Sequence, residues 1–438
     1  MISRTGAATL SAALAALLLS ALLLNYILIL VSLAVFVFLA SEVIAFHLGA
    51  PALRPELFRV RRAFSFRRVP IDADASADIT VTYDGARPFW GEAFDTLPST
   101  FRVTSGASSK ARWWTTGTVE RLHYRVRVRP RGSHQVGPVV IVAHGPLGLC
   151  FQETVLPSQR PLLVTPTSPI LRPGPAALAL YTRVRGRLAM RHRGYGTEFR
   201  SLRAYQLSDD IRHIAWRRST PEQLMVREFE QESRQDYLLV VDASDAMLAG
   251  VEGTTALDRA VEAGVVVAGF VERTAEDRIG LMTFAGGKAQ FLRPGRGSRH
   301  FRQINDNLAL VRTRGGDFVL ADLLADLARR LKVHTHVLVF STLSRPLGDL
   351  GTAHLRFTAR GHHLYMFGAS VAGFYPTPPD DSAAQVLGWA QGVETDKLQR
   401  RFAQLHAEGI PTFTFDQRGA TQKVIAAYGQ IRAWGRSS

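Results

Sequence analysis

The longest uncharged run in the sequence covers residues 5–41, which is 37 positions rich in Leu, Ala, Val and Ile. One helix needs about 20 apolar residues to cross a bilayer, so the run is too long for one span and fits two. We predict spans over approximately 7–24 and 27–46, with a tight turn near Asn25. Residues 1–48 are therefore assigned to two transmembrane helices, and the rest of the chain must fold beside them.

Arginines on both sides of this run predict how the hairpin is oriented. Arg4 precedes it, and six further arginines follow it within residues 54–68. The positive-inside rule puts such clusters in the cytoplasm, and a hairpin returns both of its ends to one side. A cleaved signal peptide is the alternative, but its apolar region covers only about 7–15 residues. We expect a multi-pass protein of the inner membrane with cytoplasmic soluble domains.

The chain is strongly basic, with 53 Lys and Arg residues and a net charge of +16. Such a charge attracts anionic partners, either nucleic acid or lipid headgroups. It also arises when a GC-rich genome favours arginine codons and the charge is scattered. No basic block exceeds a few residues and no RNA-binding aromatic motif is present, so we expect no specific nucleic-acid partner. The single cysteine, Cys150, excludes an intramolecular disulfide.

The segment 64–165 has the pattern of a β-sandwich. In residues 122–129, Leu, Tyr and two Val alternate with His and three Arg, which predicts a half-buried strand with a basic outer face. Several short strands at a spacing of roughly ten residues favour an immunoglobulin-like domain. Six prolines between 157 and 175 mark a boundary, and we assign 166–195 as a linker.

Strands and helices alternate in the C-terminal part, which predicts an α/β domain over 236–434. The stretch DYLLVVDAS reads as a buried parallel strand, and Thr254 or Thr255 can cap the helix that follows. Ligands of such sheets bind at the carboxyl ends of the strands. The polar residues predicted to lie at those ends are Asp242, Ser244, Asp245, Ser341, Thr342, Ser344 and Asp416.

The stretch EFRSLRAYQLSDDIRHIAW mixes charges of both signs with aromatic residues. Ser208 followed by Asp209 and Asp210 predicts the capped, acidic start of a short helix. Arg200 and Arg203 precede this helix at a distance that lets them pair with the aspartates. Two adjacent aspartates on one turn diverge and do not flank a substrate, so the stretch is a poor enzyme site.

The same stretch, followed by LMVREFEQE and a strand into DASDAM, resembles the bacterial family called domain of unknown function 58. The resemblance is specific over about 196–247, and it departs at Ser208, where the family prefers Gly. We assign 196–235 as the family signature segment. Its candidate interaction residues are Arg200, Arg203, Tyr205, Asp209, Asp210, Arg212, Trp216, Arg227 and Glu228.

The resemblance implies a C-terminal domain like von Willebrand factor A, which holds Mg²⁺ through DxSxS and through a Thr and an Asp from later loops. Asp242 and Ser244 match the first part of that motif. The other ligands are replaced by Ala246, Gly316 and Thr342. A hard cation needs a full set of oxygen ligands, so we expect no tightly bound metal and no other cofactor.

The missing carboxylate has two candidate substitutes, Asp245 and Asp317. The resemblance also implies a protein partner, a MoxR-type AAA+ ATPase, in the assembly or maturation of other proteins. The chain has no GxxxxGK[ST] motif of its own. We therefore predict a membrane-anchored scaffold that is not an enzyme. The alternatives are a hydrolase acting near Asp242 and, more weakly, binding of nucleic acid or anionic lipid.

Overall fold

The computed structural model describes most of the chain and divides it into two compact units, Met1–Val164 and Thr165–Ser438. The described residues are 3–23, 26–49, 53–65, 67–166, 193–194, 198–206, 209–220, 223–230, 235–273, 277–286, 288–345, 347–376, 380–415 and 420–434. Several sequence predictions fall outside them: the turn at Asn25, the Ser208 cap, Asp416, and the predicted linker apart from its ends. The side chains of Arg200 and Glu228 also lie outside the described set.

Two apolar helices open the first unit: α1 (Arg4–Leu22) and α2 (Tyr26–Gly49). Both are long and apolar enough to cross a membrane, and the rest of the chain covers little of either helix. A core helix of a soluble protein would instead be buried. Because so much exposed apolar surface is unfavourable in water, the hairpin associates the protein with a membrane.

A β-rich domain forms the rest of the first unit. Two four-stranded sheets have the orders β1-β3-β7-β5 and β10-β9-β4-β6, and a three-stranded sheet has the order β2-β11-β8. The strands are β1 (Phe58–Phe64), β2 (Arg68–Pro70), β3 (Asp74–Tyr83), β4 (Phe89–Asp95), β5 (Arg102–Gly106), β6 (Ser109–Trp114), β7 (Val119–Arg127), β8 (Gly132–Val136), β9 (Val139–His144), β10 (Phe151–Leu156) and β11 (Arg160–Thr165).

The predicted alternation on β7 is confirmed. Leu122, Tyr124 and Val126 are buried, whereas the residues between them are exposed. They pack into one apolar core with side chains of both four-stranded sheets, including Trp114 and Tyr83. The two four-stranded sheets share this core, and the immunoglobulin-like assignment stays a prediction.

Arg62, Asp95 and Tyr124 form a polar cluster inside this core. Arg62 on β1 donates two hydrogen bonds to Asp95 on β4, at 2.8 and 2.5 Å, and Tyr124 on β7 donates a third. The side chains of the ion pair are 2% and 0% exposed. The cluster joins the two four-stranded sheets, because β4 belongs to one and β1 and β7 to the other.

The second unit begins with an antiparallel sheet in the order β12-β14-β13. Its strands are β12 (Arg193–Gly194), β13 (Glu198–Ala204) and β14 (Met225–Glu230). Between β13 and β14 lie two single 3₁₀ turns, Ile211–His213 and Trp216–Arg218.

A six-stranded sheet in the order β17-β16-β15-β18-β19-β20 forms the α/β part of this unit, and only the β16–β17 pair is antiparallel. The strands are β15 (Asp236–Asp242), β16 (Arg278–Ala285), β17 (Lys288–Gly295), β18 (Thr335–Ser341), β19 (His363–Gly368) and β20 (Thr412–Thr414). The helices are α3 (Ala256–Glu272), α4 (Ser298–Leu310), α5 (Leu320–Arg330), α6 (Leu350–Thr358), α7 (Asp381–Ala407) and α8 (Ala420–Trp434).

Apolar side chains cover both faces of this sheet. Along β15, Tyr237, Leu239 and Val241 pack with residues of α3, α4 and α8. Leu238 and Val240 point the other way and pack with residues of α5, α6 and α7. The predicted α/β arrangement with a doubly covered parallel sheet is therefore confirmed, although β17, α6 and α8 were not predicted.

Candidate functional site

The carboxyl ends of β15 and β18 bring Asp242 and Ser341 together. The Ser341 hydroxyl donates to Asp242 Oδ2 at 2.6 Å, and the backbone N–H of Ser244 donates to Oδ1 at 2.8 Å. The backbone N–H of Leu343 donates to Ser341 Oγ at 3.0 Å. Asp242 and Ser341 are 0% and 1% exposed. Both carboxyl oxygens therefore already accept a hydrogen bond from the protein itself.

Burial raises the pKa of Asp242 to about 6, because the apolar surroundings disfavour its charged form. Hydrogen bonds from Ser341 and Ser244 oppose this effect without cancelling it. The carboxyl group consequently changes its protonation close to physiological pH.

Other hydroxyls surround these strand ends. Ser244 Oγ, Thr342 Oγ1 and Ser370 Oγ are shielded from solvent and have no hydrogen-bond partner among the described residues. Ser370 follows β19 closely, and the neighbouring Ala369 N–H donates to the Ser341 carbonyl. Among the described residues, this edge of the sheet thus offers buried hydroxyl groups and the Asp242 carboxyl group.

The two candidate substitutes for a missing carboxylate do not join Asp242. Asp317 accepts a hydrogen bond from Arg345 Nε at 2.8 Å, and both side chains are more than half exposed. Asp245 is exposed as well. In the part of the chain that the structure describes, no group of three or more His, Cys, Asp or Glu residues could hold a metal ion.

Gly316 occupies the position where the resemblance implies a Thr ligand. Its φ is +81°, and a Cβ atom there would lie 2.8 Å from the Cα of Gly286. The loop is held at this place, because Gly286 N–H donates to the Asp317 carbonyl and Arg314 N–H donates to the Ala243 carbonyl. A Thr side chain would be strained here. The oxygen ligands at this edge of the sheet therefore do not complete an octahedral Mg²⁺ site.

The signature segment holds its own ion pair. Arg203 on β13 donates two hydrogen bonds to Asp209, one of them at 2.6 Å from Nη1 to Oδ2. The Gln206 N–H donates to the same carboxylate at 2.8 Å. Hydrogen bonds from Arg203 and Gln206 hold the pKa of Asp209 below its ordinary value. The predicted pairing is therefore confirmed for Arg203 and Asp209.

The predicted single helix after Asp209 is wrong. The chain forms two 3₁₀ turns instead, and Asp210 caps the first by accepting from the Arg212 N–H at 2.9 Å. The reason is that the backbone hydrogen bonds go to β14 rather than along a helix. Ala215 N–H donates to the Met225 carbonyl at 2.8 Å.

The same turns leave two apolar side chains exposed. Ile211 is 64% exposed and Trp216 is 65% exposed, whereas Ile214 is buried. Three exposed arginines flank them. We call this set the turn surface: Ile211, Arg212, Trp216, Arg217 and Arg218.

The remaining signature residues are spread over the sheet. The Tyr205 N–H donates to the Leu224 carbonyl at 2.8 Å, and the Tyr205 side chain is half-buried. Arg227 on β14 is exposed. The interaction role predicted for the whole set stays a prediction. Sequence reasoning missed the Arg345–Asp317 pair, since nothing in the local sequence shows that these two loops meet.

Comparison with solved structures finds distant likenesses. BatB from Bacteroides thetaiotaomicron is 14% identical, with a TM-score of 0.32 over 45% of this chain and 98% of that one. An aerotolerance-related membrane protein from Bacteroides fragilis is 15% identical, with a TM-score of 0.29 over 43% of this chain and 98% of that one.

The VWA domain of SpRpn10 is 16% identical, with a TM-score of 0.24 over 36% of this chain and 82% of that one. No curated protein matches the sequence. The structural likenesses are too weak to support a functional argument. The model of the family described as "Protein of unknown function DUF58" matches residues 201–365, which run from within β13 to within β19.

Proposed function

We propose that the protein is a membrane-anchored scaffold that docks a protein partner through the turn surface. The exposed indole of Trp216 carries this proposal. Energetically dominant residues of protein interfaces are enriched in Trp and Arg, and they are surrounded by groups that exclude water. Here one Trp and three Arg stand on turns that are hydrogen-bonded to β14, so they are held ready for a partner.

The partner that we propose is a MoxR-type AAA+ ATPase, as the family resemblance implies. Exposed arginines around an apolar centre suit a partner surface with acidic residues around an apolar pocket. The membrane hairpin would tether the docked partner to the membrane. We propose an inner-membrane location with the soluble domains in the cytoplasm, which is where such an ATPase would meet its ATP.

We also propose that docking needs no Mg²⁺ at the Asp242 edge. The carboxyl oxygens already accept hydrogen bonds from Ser341 and Ser244, and Asp317 is paired with Arg345. A hydrolase using the same edge has less support. Asp242 and Ser341 are buried, so neither presents an atom to a substrate in this arrangement.

Binding of nucleic acid through the basic outer face of β7 also has less support. His123 contacts Asp78 at 2.5 Å, and Arg127 and Arg129 pair with Asp74 and Asp72. Carboxylates of β3 and of the preceding turn thus offset most of that row. A row of paired charges attracts phosphates less than a row of free cations does.

The docking proposal is tested with the full-length protein purified from membranes under mild detergent. We expect a AAA+ ATPase to co-purify with the wild type, and Trp216→Ala combined with Arg217→Ala to reduce its recovery by about tenfold or more. Trp389→Ala is the matched control, because Trp389 lies on α7 and is 72% exposed. Equal recovery with the double variant and the wild type would contradict docking at this surface.

A further inference from the structure

A pocket of about 690 Å³ lies between the end of α2 and the outer face of the sheet that contains β4. Its lining includes Glu42, Phe46, Trp90, Trp113, His144 and Pro146. All of these residues belong to the first unit. Since α2 is the second candidate span, the pocket lies where the chain leaves the bilayer and enters the headgroup region.

Three ring side chains cross the sheet as one row in this pocket. In the strand register, Trp90 on β4 stands opposite Trp113 on β6 and opposite His144 on β9. Directly opposed residues project from the same face of a sheet. The two indoles meet edge to face with centroids 5.9 Å apart, and they are 41% and 62% exposed. Exposed Trp residues are typical of the membrane–water interface.

Glu42 places a carboxylate beside this row. Its Oε1 accepts the backbone N–H of Leu147 at 2.8 Å. Its Oε2 is shielded from solvent and has no hydrogen-bond partner among the residues that the structure describes. A buried acceptor left without a donor is costly, and the cost is greater when the group is charged. Oε2 is therefore an unsatisfied acceptor on a residue that lines the pocket.

We propose that the pocket binds the primary ammonium headgroup of an ethanolamine phospholipid. Indole faces attract cations, and a carboxylate oxygen accepts hydrogen bonds from an ammonium group. A choline headgroup is also a cation, but its trimethylated nitrogen has no N–H to donate. A glycerol headgroup carries no positive charge, so its lipid brings only the phosphate anion towards Glu42. Once the Glu42 carboxylate turns towards the pocket, a bound ammonium group supplies the donor that Oε2 lacks, and this selects the ethanolamine headgroup.

The headgroup would also fix how the β-rich domain stands on the membrane. Leu147 and Gly148 belong to the loop that follows β9, and Ser3 at the start of α1 donates to the Gly148 carbonyl at 3.1 Å. One loop therefore touches both helices of the hairpin, since its Leu147 N–H reaches Glu42 on α2. A lipid bound next to this loop stabilises the whole junction.

The test measures lipid binding to the full-length protein in detergent by native mass spectrometry. Short-chain phosphatidylethanolamine, phosphatidylcholine and phosphatidylglycerol are added separately, at equal concentrations. We expect the ethanolamine lipid to bind about tenfold more tightly than the choline lipid, as one charge-assisted hydrogen bond predicts. The phosphatidylglycerol arm detects plain attraction of anionic lipid to a basic protein.

Two variants separate the parts of the pocket. Glu42→Gln keeps an acceptor for the Leu147 N–H but removes the charge, so the preference for ethanolamine over choline should vanish. Trp90→Ala with Trp113→Ala should weaken binding of both cationic headgroups, whereas Trp389→Ala should change neither. Equal binding of the three lipids, a preference for phosphatidylglycerol, or an unchanged preference in Glu42→Gln would each overturn the proposal. The wild-type comparison decides it even if a variant does not fold.

Discussion

At the scale of single residues, burial of the Asp242 carboxyl lowers the stability of the folded protein when the group is charged. Its pKa in the folded protein is about 6, above the ordinary value of 3.8. As pH rises from about 4 through 6, the unfolded chain loses this proton and the folded chain retains it. Stability therefore falls across this window, by about 3 kcal/mol for a shift of about two units.

The effect of Asp242→Asn on the free energy of unfolding should reverse sign with pH. At pH 7.5 the variant avoids burying a charge but loses about 1 kcal/mol of hydrogen bonding, so it should be about 2 kcal/mol more stable than the wild type. At pH 4 only the loss remains, and the variant should be about 1 kcal/mol less stable. Thermal unfolding of the full-length protein in detergent at both pH values measures this reversal.

The variant and the wild type must be compared at each pH, because His336 also changes the stability of the protein with pH. Burial, and then the neighbouring His363, lower the pKa of His336 to about 4. Its contribution to stability is lost as pH falls from 6.5 towards 4, which is opposite to the effect of Asp242. The contribution of His336 is the same in the variant and the wild type, so it cancels when the two are compared. Asp245→Asn, at an exposed neighbouring position, is the control, and a lower melting temperature for Asp242→Asn at both pH values would contradict the assignment.

At the scale of elements, the β-rich domain depends on a polar contact inside its apolar core. The Arg62–Asp95 pair is almost fully buried, and Tyr124 adds a third partner from β7. Removing Asp95 leaves the buried Arg62 cation without its counter-charge, which costs far more than the pair itself contributes. The contact therefore ties β1 and β7 to β4 across the core.

Asp95→Ala should destabilise the protein by about 3–5 kcal/mol, because it strands the Arg62 guanidinium in the core. Asp84→Ala is the matched control. It breaks an Arg–Asp pair that starts from the same strand, Arg59–Asp84, but these side chains are 73% and 40% exposed. That loss should stay near 0–1 kcal/mol. Denaturant unfolding of both variants measures the difference, and similar losses would show that the buried pair has no special role.

The elements also show which sequence signals were dependable. Thr255 caps α3 as predicted, with a reciprocal bond between its N–H and Asp258. Capping depends on residues three positions apart, so sequence alone reveals it. For the stretch after Asp209, the local pattern predicted a single helix that does not form. Its partner is β14, ten or more residues further along the chain, and only the folded chain shows that Ala215 bonds to Met225.

At the scale of the whole molecule, the membrane hairpin and the basic flanking segments predict one orientation. Both ends of the hairpin should face the cytoplasm, because Arg4 and the arginines of 54–68 flank it. A reporter fused after Ser438 should therefore be active only when it is a cytoplasmic reporter. A periplasmic reporter that is active at the same position would overturn the orientation, and matched fusions after Leu23 identify the opposite side.

The sequence alone predicts the hairpin, the doubly covered β15 strand and the resemblance to the DUF58 family, because these depend on apolar periodicity and on local motifs. It also placed Asp242 and Ser341 at strand ends. Tertiary structure alone decided what those residues do. It buried the Asp242 carboxyl against Ser341, paired Asp317 with Arg345, and exposed Trp216 on a turn. The physical reason is that burial, pKa and pairing depend on side chains brought together from distant parts of the chain.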